Sequence, residues 1–322
     1  MDLEFDYPET IAAIDAALST AHTVKKVECT CELEHWIAEL RQFSPDIALN
    51  VAEGYFGSAR EAFFPNLLEQ MQIKYVGSDT TVMLFGQNKA LCKSLANSMG
   101  MNTPRWGLIN DPSDIVDLQT RLKFPLFVKP NSEGSSLGID AGSIVKNASE
   151  LAQRAAFVLT HYKCPALVEE FIDGIDLSVS FVEGLGTLMF GPIAYDIGDS
   201  TIYDYEWKKR SFKYPSIVVP YNLLPPLANR MLLASCLSFV EALGVRGYAR
   251  ADYRLSKDGV AYFLEINTQV EMAPNAEFAA PIIDAGYSFR DILLHLITHA
   301  GRKSERISSS PLFRHVNPSA PQ

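Results

Sequence analysis

The chain has 322 residues, of which 48% are hydrophobic and 20% are charged, and its formal net charge is -10. This size and composition are typical of a protein with more than one compact unit, and they exclude the disordered and fibrous classes. The negative charge argues against a nucleic-acid partner, because phosphate backbones are bound by an excess of Lys and Arg. No apolar run approaches the about 18 residues of a membrane span, so we expect a cytoplasmic protein without a membrane partner.

The first predicted elements alternate between helices and strands. Residues 8–18 begin with Pro and carry apolar residues at helical spacing, which predicts a helix. A strand at 46–51, a helix at 60–71 and a strand at 73–76 follow. This alternation is typical of a doubly wound parallel sheet. Such domains usually open with a buried strand, so we expect the first strand to be missing here.

Two changes of pattern predict further units, one near residue 85 and one near residue 175, where the β runs become antiparallel. The expected architecture is α/β (α+β), and its predicted segments are residues 1–85, 86–175, 176–302 and a flexible tail at 303–322. The elements predicted after residue 85 are helices at 87–99, 148–159 and 226–243, strands at 126–129 and 166–170, and β runs between 175 and 219.

The most informative stretch is residues 247–267, in which two β-type segments flank an Asp-Gly pair at 258–259. An Asp-Gly pair between alternating segments is among the strongest hairpin signals. If this pair forms the turn, Asp252 lies directly across from Glu265 on the neighbouring strand. The hairpin therefore predicts two carboxylates side by side.

The same register places Arg250 across from Asn267, on the same face as the two carboxylates. Opposed Cβ atoms lie about 4.5 to 5.5 Å apart, so Asp252 and Glu265 would repel each other unless a cation lies between them. Carboxylate and amide oxygens are ligands that suit Mg²⁺. The alternative is a solvated hairpin face whose charges are balanced by Arg250.

A second motif begins at Lys129, at the end of a predicted strand, and continues as a Gly- and Ser-rich loop at 130–138. A fixed cation followed by a run of backbone N–H groups is what a polyphosphate requires. The loop is not a P-loop, because GxxxxGK[ST] does not occur in the sequence. A plain flexible hairpin is the alternative.

Five motifs follow one another along the chain in this order: FPLFVKPNSEGSSLGI, LVEEFIDGIDLSV, YDYEWKK, GYARADYRL and YFLEINT. Over roughly residues 45 to 300 the sequence resembles the D-alanine:D-alanine ligases of the ATP-grasp superfamily. The earlier segments NVAEGYFGSAREAFFPNLLEQ, IKYVGSD and NKALCKSLA are similar to the same family. The resemblance implies an ATP-grasp fold with an N-terminal parallel-sheet domain, a small central α+β domain and a C-terminal domain with an antiparallel sheet.

The resemblance also implies a role for individual residues. The nucleotide, ATP, would be bound by Lys89, Lys129, Glu133, Ser136, Glu169, Glu170, Phe171, Ile172, Asp176 and Lys208. Among these, residues 169–172 would hydrogen-bond adenine, Asp176 would reach the ribose hydroxyls, and Lys208 would lie on a lid. Mg²⁺, with Mn²⁺ as an alternative, would be held by Asp252, Glu265 and Asn267. The catalytic groups would be Arg250, Ser135, Lys208 and Lys209.

The segment that would hold the acceptor departs from the family pattern. Glu271 takes the place of a glycine whose N–H helps form an oxyanion hole, and Ala276 takes the place of a serine that holds the acceptor's carboxylate. Lys209 stands where the family usually has tyrosine. The substrate candidates are therefore Glu53, Glu271 and Ala276, and the acidic residue for the first substrate's ammonium is left open among Glu4, Asp6 and Glu9.

We therefore expect an ATP-dependent ligase that joins a carboxylate to an amine through an acyl phosphate, with an acceptor other than D-alanine. Its partners would be small amino-acid-like molecules, and the resemblance implies a homodimer. The alternatives are a true D-alanine:D-alanine ligase and a nucleotide-binding module without ligase activity.

Overall fold

The computed structural model describes residues 7–54, 57–186, 188–195, 202, 204, 217–218 and 224–308. The helices among these residues are α1 (Pro8–Leu18), α2 (Leu33–Phe43), α3 (Phe63–Gln70), α4 (Thr80–Gln87), α5 (Lys89–Ser98), α6 (Asp114–Arg121), α7 (Ala148–His161), α8 (Pro226–Leu243), α9 (Ala280–Asp284) and α10 (Phe289–Ser308). The strands are β1 (Ile47–Leu49), β2 (Lys74–Val76), β3 (Trp106–Ile109), β4 (Leu126–Pro130), β5 (Ile144–Val145), β6 (Ala166–Glu170), β7 (Gly174–Val182), β8 (Met189–Tyr195), β9 (Ile217–Val218), β10 (Tyr248–Ser256) and β11 (Ala261–Asn267).

The strands form three sheets. β1 and β2 pair in parallel, as the alternating pattern predicts. A four-stranded antiparallel sheet has the order β3-β6-β4-β5, and a five-stranded antiparallel sheet has the order β11-β10-β7-β8-β9. Antiparallel pairing begins with β3, earlier than the predicted change near residue 175, and the combination of parallel and antiparallel sheets agrees with the predicted α+β architecture.

Several predicted elements match the structure closely. α1 and α8 have the predicted bounds, and β6 spans the predicted residues. The helix predicted at 87–99 is α5, whereas α4, which precedes it and is separated from it at Asn88, was not predicted. The Asn88 side chain accepts a hydrogen bond from the Leu91 N–H and caps α5, so a new helix begins there.

Another helix was missed. α2 was not predicted, although Leu33, Trp36, Ile37, Leu40 and Phe43 have helical spacing; Trp36 is the residue that it buries. α10 continues to Ser308, within the tail predicted at 303–322; that tail stays a prediction, and residues 309–322 lie outside the described part of the chain.

Three hydrophobic cores hold the described elements together. One lies between α1, α10 and the parallel sheet, and a second lies within the four-stranded sheet and the helices that cover it. The third joins the five-stranded sheet to α8 and α5, with Cys92 and Phe239 fully buried. The predicted domain boundaries near 85 and 175 stay predictions. Within the part of the chain that the structure describes, no helix has the length and apolar character needed to cross a membrane.

Candidate active site

A cavity of about 240 Å³ is lined by residues from the N-terminal region, the four-stranded sheet and the five-stranded sheet. Apart from Glu9, the described residues of the predicted site line it: Glu53, Lys89, Lys129, Glu133, Ser135, Ser136, Glu169, Glu170, Phe171, Ile172, Asp176, Arg250, Asp252, Glu265, Asn267, Glu271 and Ala276. Residues more than 200 positions apart are thereby brought to one place.

Five other candidates were named from the sequence. Lys208 and Lys209, predicted to lie on a lid, and the substrate candidates Glu4 and Asp6 are outside the described residues. Glu9 is exposed on α1 and does not line the cavity. The lid and the first-substrate contacts therefore stay predictions.

The hairpin of β10 and β11 has the predicted pairs but not the predicted turn. Asp252 lies across from Glu265, and Arg250 across from Asn267. Ser256 pairs with Val260, so the loop has three residues, 257–259, rather than two. A register shift beyond Asp252 leaves Leu264 without a partner on β10, and this bulge restores the expected pairs.

Asp252 is surrounded by hydrogen-bond donors. Its carboxylate accepts hydrogen bonds from Arg250 Nε (2.8 Å) and Nη2 (2.9 Å), from Asn267 Nδ2 (2.7 Å) and from Ser178 Oγ (2.5 Å). Tyr195 Oη lies 2.6 Å from Ser178 Oγ and extends the chain of hydroxyl groups. Burial raises the pKa of Tyr195 well above its usual value, so this phenol stays protonated.

Glu265 has separate cationic partners. Its carboxylate lies 3.4 Å from Lys89 Nζ and 3.9 Å from Lys129 Nζ. Burial by itself raises the pKa of Glu265, but Lys89, Lys129 and Arg250 outweigh this effect and lower the pKa to about 2. Each of the two opposed carboxylates thus has its own side-chain cation, and the expectation of a metal between them stays a prediction.

The donor chemistry of this face nevertheless fits a divalent cation. Among the described residues, no three His, Cys, Asp or Glu side chains converge on a metal position. Asp252, Glu265 and Asn267 supply two carboxylates and an amide on one face, and a hard cation such as Mg²⁺ completes its coordination with phosphate oxygens and water. The metal assignment of these three residues stays a prediction.

Lys129 is the second-last residue of β4 and is almost completely buried. Its Nζ lies 2.9 Å from a carboxylate oxygen of Glu169, whose other oxygen contacts Lys93. Burial lowers the pKa of Lys129, but Glu169 and Glu265 outweigh it and leave this pKa raised. Lys129 therefore remains a fixed cation in the cavity wall. The sequence reasoning missed Lys93, whose only signal is a second Lys one helical turn after Lys89 on α5.

The Gly- and Ser-rich loop begins after Lys129 and is tied to two other parts of the chain. Lys89 Nζ donates to the Glu133 carbonyl (2.5 Å), and Arg60 contacts the Ser132 carbonyl (3.4 Å) and the Glu133 carboxylate (3.3 Å). Ser135 and Ser136 both have positive φ, at 51° and 57°, which few non-glycine residues adopt. Strained backbone of this kind is concentrated at functional sites.

The segment predicted to bind adenine and ribose also lines the cavity. Phe171 stacks on Phe127 with ring centroids 6.5 Å apart, and the Arg254 guanidinium lies 5.7 Å from the Phe171 ring. Asp176, the predicted ribose ligand, pairs with Arg254 at 2.9 Å. These contacts give this end of the cavity an aromatic surface beside a carboxylate.

At the other end, Arg250 has a second carboxylate partner. Arg250 Nη1 lies 3.3 Å from Glu277 Oε2, and the Glu277 residue is only 7% exposed. Glu271 and Ala276 line the cavity in the same segment. Sequence reasoning missed Glu277, although it directly follows Ala276.

Comparison with known proteins identifies the family. The model of the D-ala D-ala ligase C-terminus matches residues 95–298. A D-alanine–D-alanine ligase of Coprothermobacter proteolyticus is 31% identical over 91% of this chain and 93% of its own length. The chain belongs to the D-alanine–D-alanine ligase family. It is thus an ATP-grasp ligase that forms carbon–nitrogen bonds, as predicted, and family membership implies that it uses ATP.

Two further relatives agree with this family. A D-alanine–D-alanine ligase of Aquifex aeolicus is 29% identical over 89% of this chain and 92% of its own length. The crystal structure of D-alanine–D-alanine ligase from Bacillus anthracis complexed with ATP superposes with a TM-score of 0.73, at 23% identity, and covers 93% of this chain and 92% of that chain. This structural likeness confirms the predicted ATP-grasp fold.

Proposed function

We propose that this protein uses ATP to activate the carboxylate of a small amino acid and joins it to an amine, with ADP and phosphate as products. One observation carries the proposal: all described residues assigned to nucleotide, metal and reaction line a single cavity. Such convergence of buried charges from three parts of the chain is typical of an active site.

Different described residues have different roles in this reaction. ATP, when bound, supplies the phosphoryl group that converts the carboxylate into an acyl phosphate. Lys89 and Lys129 bind phosphate oxygens at the wall formed by β4 and α5, and the loop containing Ser135 and Ser136 covers them. Catalysis of this kind depends on positioning and on stabilising negative charge.

Arg250 stabilises the negative charge that develops when the amine attacks. The amine nitrogen forms a bond to the acyl carbon, the bond from that carbon to the phosphate oxygen breaks, inorganic phosphate leaves, and the amine loses its surplus protons to water. The bidentate contact with Asp252 fixes the guanidinium plane for this role.

Asp252, Glu265 and Asn267 are proposed to hold Mg²⁺, with Mn²⁺ as the alternative. The support is the low pKa of Glu265, about 2, which keeps its carboxylate ionised, and the position of all three side chains on one face of the hairpin. Mg²⁺ would neutralise the negative charge of the phosphates.

The acceptor is proposed to differ from D-alanine. Two residues in the cavity wall support this, since Ala276 lacks the hydroxyl and Glu271 adds a negative charge in the segment that would hold an acceptor carboxylate. D-alanine:D-alanine ligation is the second candidate, because the relatives carry that name.

The test is phosphate release and product mass with ATP, Mg²⁺ and a panel of amino acids and amines. Hydroxylamine is added as a small acceptor, so that an acyl phosphate is detected as a hydroxamate whatever the natural amine is. If no carboxylate of the panel supports ATP turnover, the proposed function is contradicted. Dimerisation of D-alanine at the highest rate of the panel would select the second candidate.

The predicted homodimer of the protein is checked by light scattering, in which a mass near 35.7 kDa would contradict it.

A further inference from the structure

Arg254 is a buried arginine in the wall of the cavity, and the residue is only 5% exposed. In the register of the five-stranded sheet it lies directly across from Asp176, so that β10 and β7 present opposite charges side by side. A buried guanidinium is costly unless it is paired and hydrogen-bonded. The partners of Arg254 are therefore groups that it holds in place.

The guanidinium of Arg254 joins two parts of the cavity wall. Nη1 lies 2.9 Å from Asp176 Oδ2, and Nε donates a hydrogen bond of 3.0 Å to the Ile172 carbonyl. Its Cζ atom lies 5.7 Å from the centre of the Phe171 ring. A guanidinium presents its donors in one rigid plane. A single side chain therefore sets the distance between the Phe171–Ile172 segment and the Asp176 carboxylate.

The groups that Arg254 holds suit the nucleoside part of a nucleotide. Phe171, stacked on Phe127, offers an aromatic surface, and the Asp176 side chain is 20% exposed in the same cavity. An ionised carboxylate only accepts hydrogen bonds, so it binds the hydroxyl or N–H groups of a ligand. The 2′ and 3′ hydroxyls of ribose are such donors, whereas phosphate oxygens are acceptors.

We propose that Arg254 is a positioning residue of the nucleotide site. By holding the Asp176 carboxylate at a fixed distance from Phe171 and Ile172, it gives the site a preference for a nucleotide that carries both ribose hydroxyls. This inference rests on the proposed function, because it assumes that ATP binds in this cavity.

The test compares the dissociation constants of ATP, 2′-deoxy-ATP and 3′-deoxy-ATP, titrated by calorimetry at one Mg²⁺ concentration. The larger ratio of a deoxy analogue's Kd to the Kd of ATP is the hydroxyl preference. It is measured for wild type, Arg254→Met, Arg254→Lys and the control Lys257→Met. Lys257 is exposed, pairs with Asp173 beside Ile172 and does not line the cavity. A merely structural effect weakens the binding of all three nucleotides alike and leaves the ratio unchanged.

Wild type is expected to show a hydroxyl preference of about 10- to 100-fold, the factor of one hydrogen bond to a charged group. Arg254→Met should reduce the preference by about fivefold or more, because Asp176 loses the group that orients it. Lys257→Met should keep the preference of wild type. If Arg254→Met does not fold, Arg254→Lys decides by the same criterion, since one ammonium cannot reproduce the rigid fork.

Three results would overturn the inference: no hydroxyl preference in wild type, a smaller reduction than this in the deciding Arg254 variant, or an equal reduction in Lys257→Met. Binding does not need turnover, so the proposed function is tested separately. ATP binding without a hydroxyl preference, together with hydroxamate formation, overturns the inference and leaves the ligase activity in place. A preference that Arg254→Met loses, without ATP turnover for any carboxylate, contradicts the proposed function and still supports the role of Arg254. Absence of ATP binding contradicts both.

Discussion

Lys129 Nζ lies 2.9 Å from a carboxylate oxygen of Glu169, and both side chains are almost completely buried. Lys93 contacts the other oxygen of Glu169, and it also donates a hydrogen bond to Thr103 Oγ1 at 2.8 Å. Two buried cations thus share one buried carboxylate. The arrangement fixes the Lys129 ammonium at the cavity wall, because Glu169 itself is held by Lys93.

Replacing Lys129 by Ala is expected to reduce the rate of ligation strongly. An electrostatic contact in a closed site is worth about 3 to 4 kcal/mol of transition-state stabilisation, so kcat/KM should fall by about 100-fold or more. Lys146→Ala, which changes an exposed lysine outside the cavity lining, is the control. A fall of less than tenfold for Lys129→Ala means that the loop after β4 does not bind ATP.

Glu265→Gln is expected to abolish turnover and to weaken Mg²⁺-dependent ATP binding. The substitution keeps the shape of the side chain but removes the carboxylate that faces Lys89 and Lys129. ATP binding is titrated with and without Mg²⁺, and far-UV circular dichroism checks that the variant is folded. Unchanged ligation in this variant would remove the hairpin from the mechanism.

The low pKa of Glu265 predicts an acid-dependent loss of stability. A carboxylate whose pKa falls from 4.5 in the unfolded chain to about 2 in the folded chain stabilises the protein fully above pH 4.5. That contribution, on the order of 3 kcal/mol, is lost as the pH falls from about 4.5 towards 2. Below pH 2 the contribution is absent.

The measurement is the free energy of unfolding by denaturant at several pH values, for wild type and Glu265→Gln. The difference between the two proteins should shrink as the pH falls through this window, since other carboxylates titrate equally in both. A difference that stays constant from pH 5 to pH 2 would show that the pKa of Glu265 is not lowered in the folded protein.

Arg60→Ala is expected to raise KM for ATP by about tenfold, with a smaller change in kcat. Arg60 is 8% exposed and joins the N-terminal region to the loop through Ser132 and Glu133, and a hydrogen bond to a charged group is worth about 1.5 to 3 kcal/mol. Arg121→Ala, at an exposed residue that pairs with Asp117, is the control. Equal KM values for Arg60→Ala and wild type would show that this contact does not position the loop.

The hairpin of β10 and β11 could be predicted from the sequence because its pairing is local. Side chains alternate along a strand, so the Asp-Gly signal was sufficient to place Asp252 beside Glu265. The predicted two-residue turn was wrong, and the pairs are nevertheless present because the extra loop residue is offset by a bulge at Leu264. α1 and α8 were predictable for a similar reason, since their Pro residues and apolar spacing lie within single segments.

Only the tertiary structure decided which charges pair around the cavity. Lys93 meets Glu169, Arg60 meets Glu133 and Arg250 meets Glu277, and these partners come from different elements of the chain. Sequence spacing carries no information about such distant contacts, because they depend on how the sheets and helices pack. The opposed carboxylates follow from the alternation of side chains along β10 and β11, whereas the two lysines beside Glu265 follow from the packing of α5 and β4 against that hairpin.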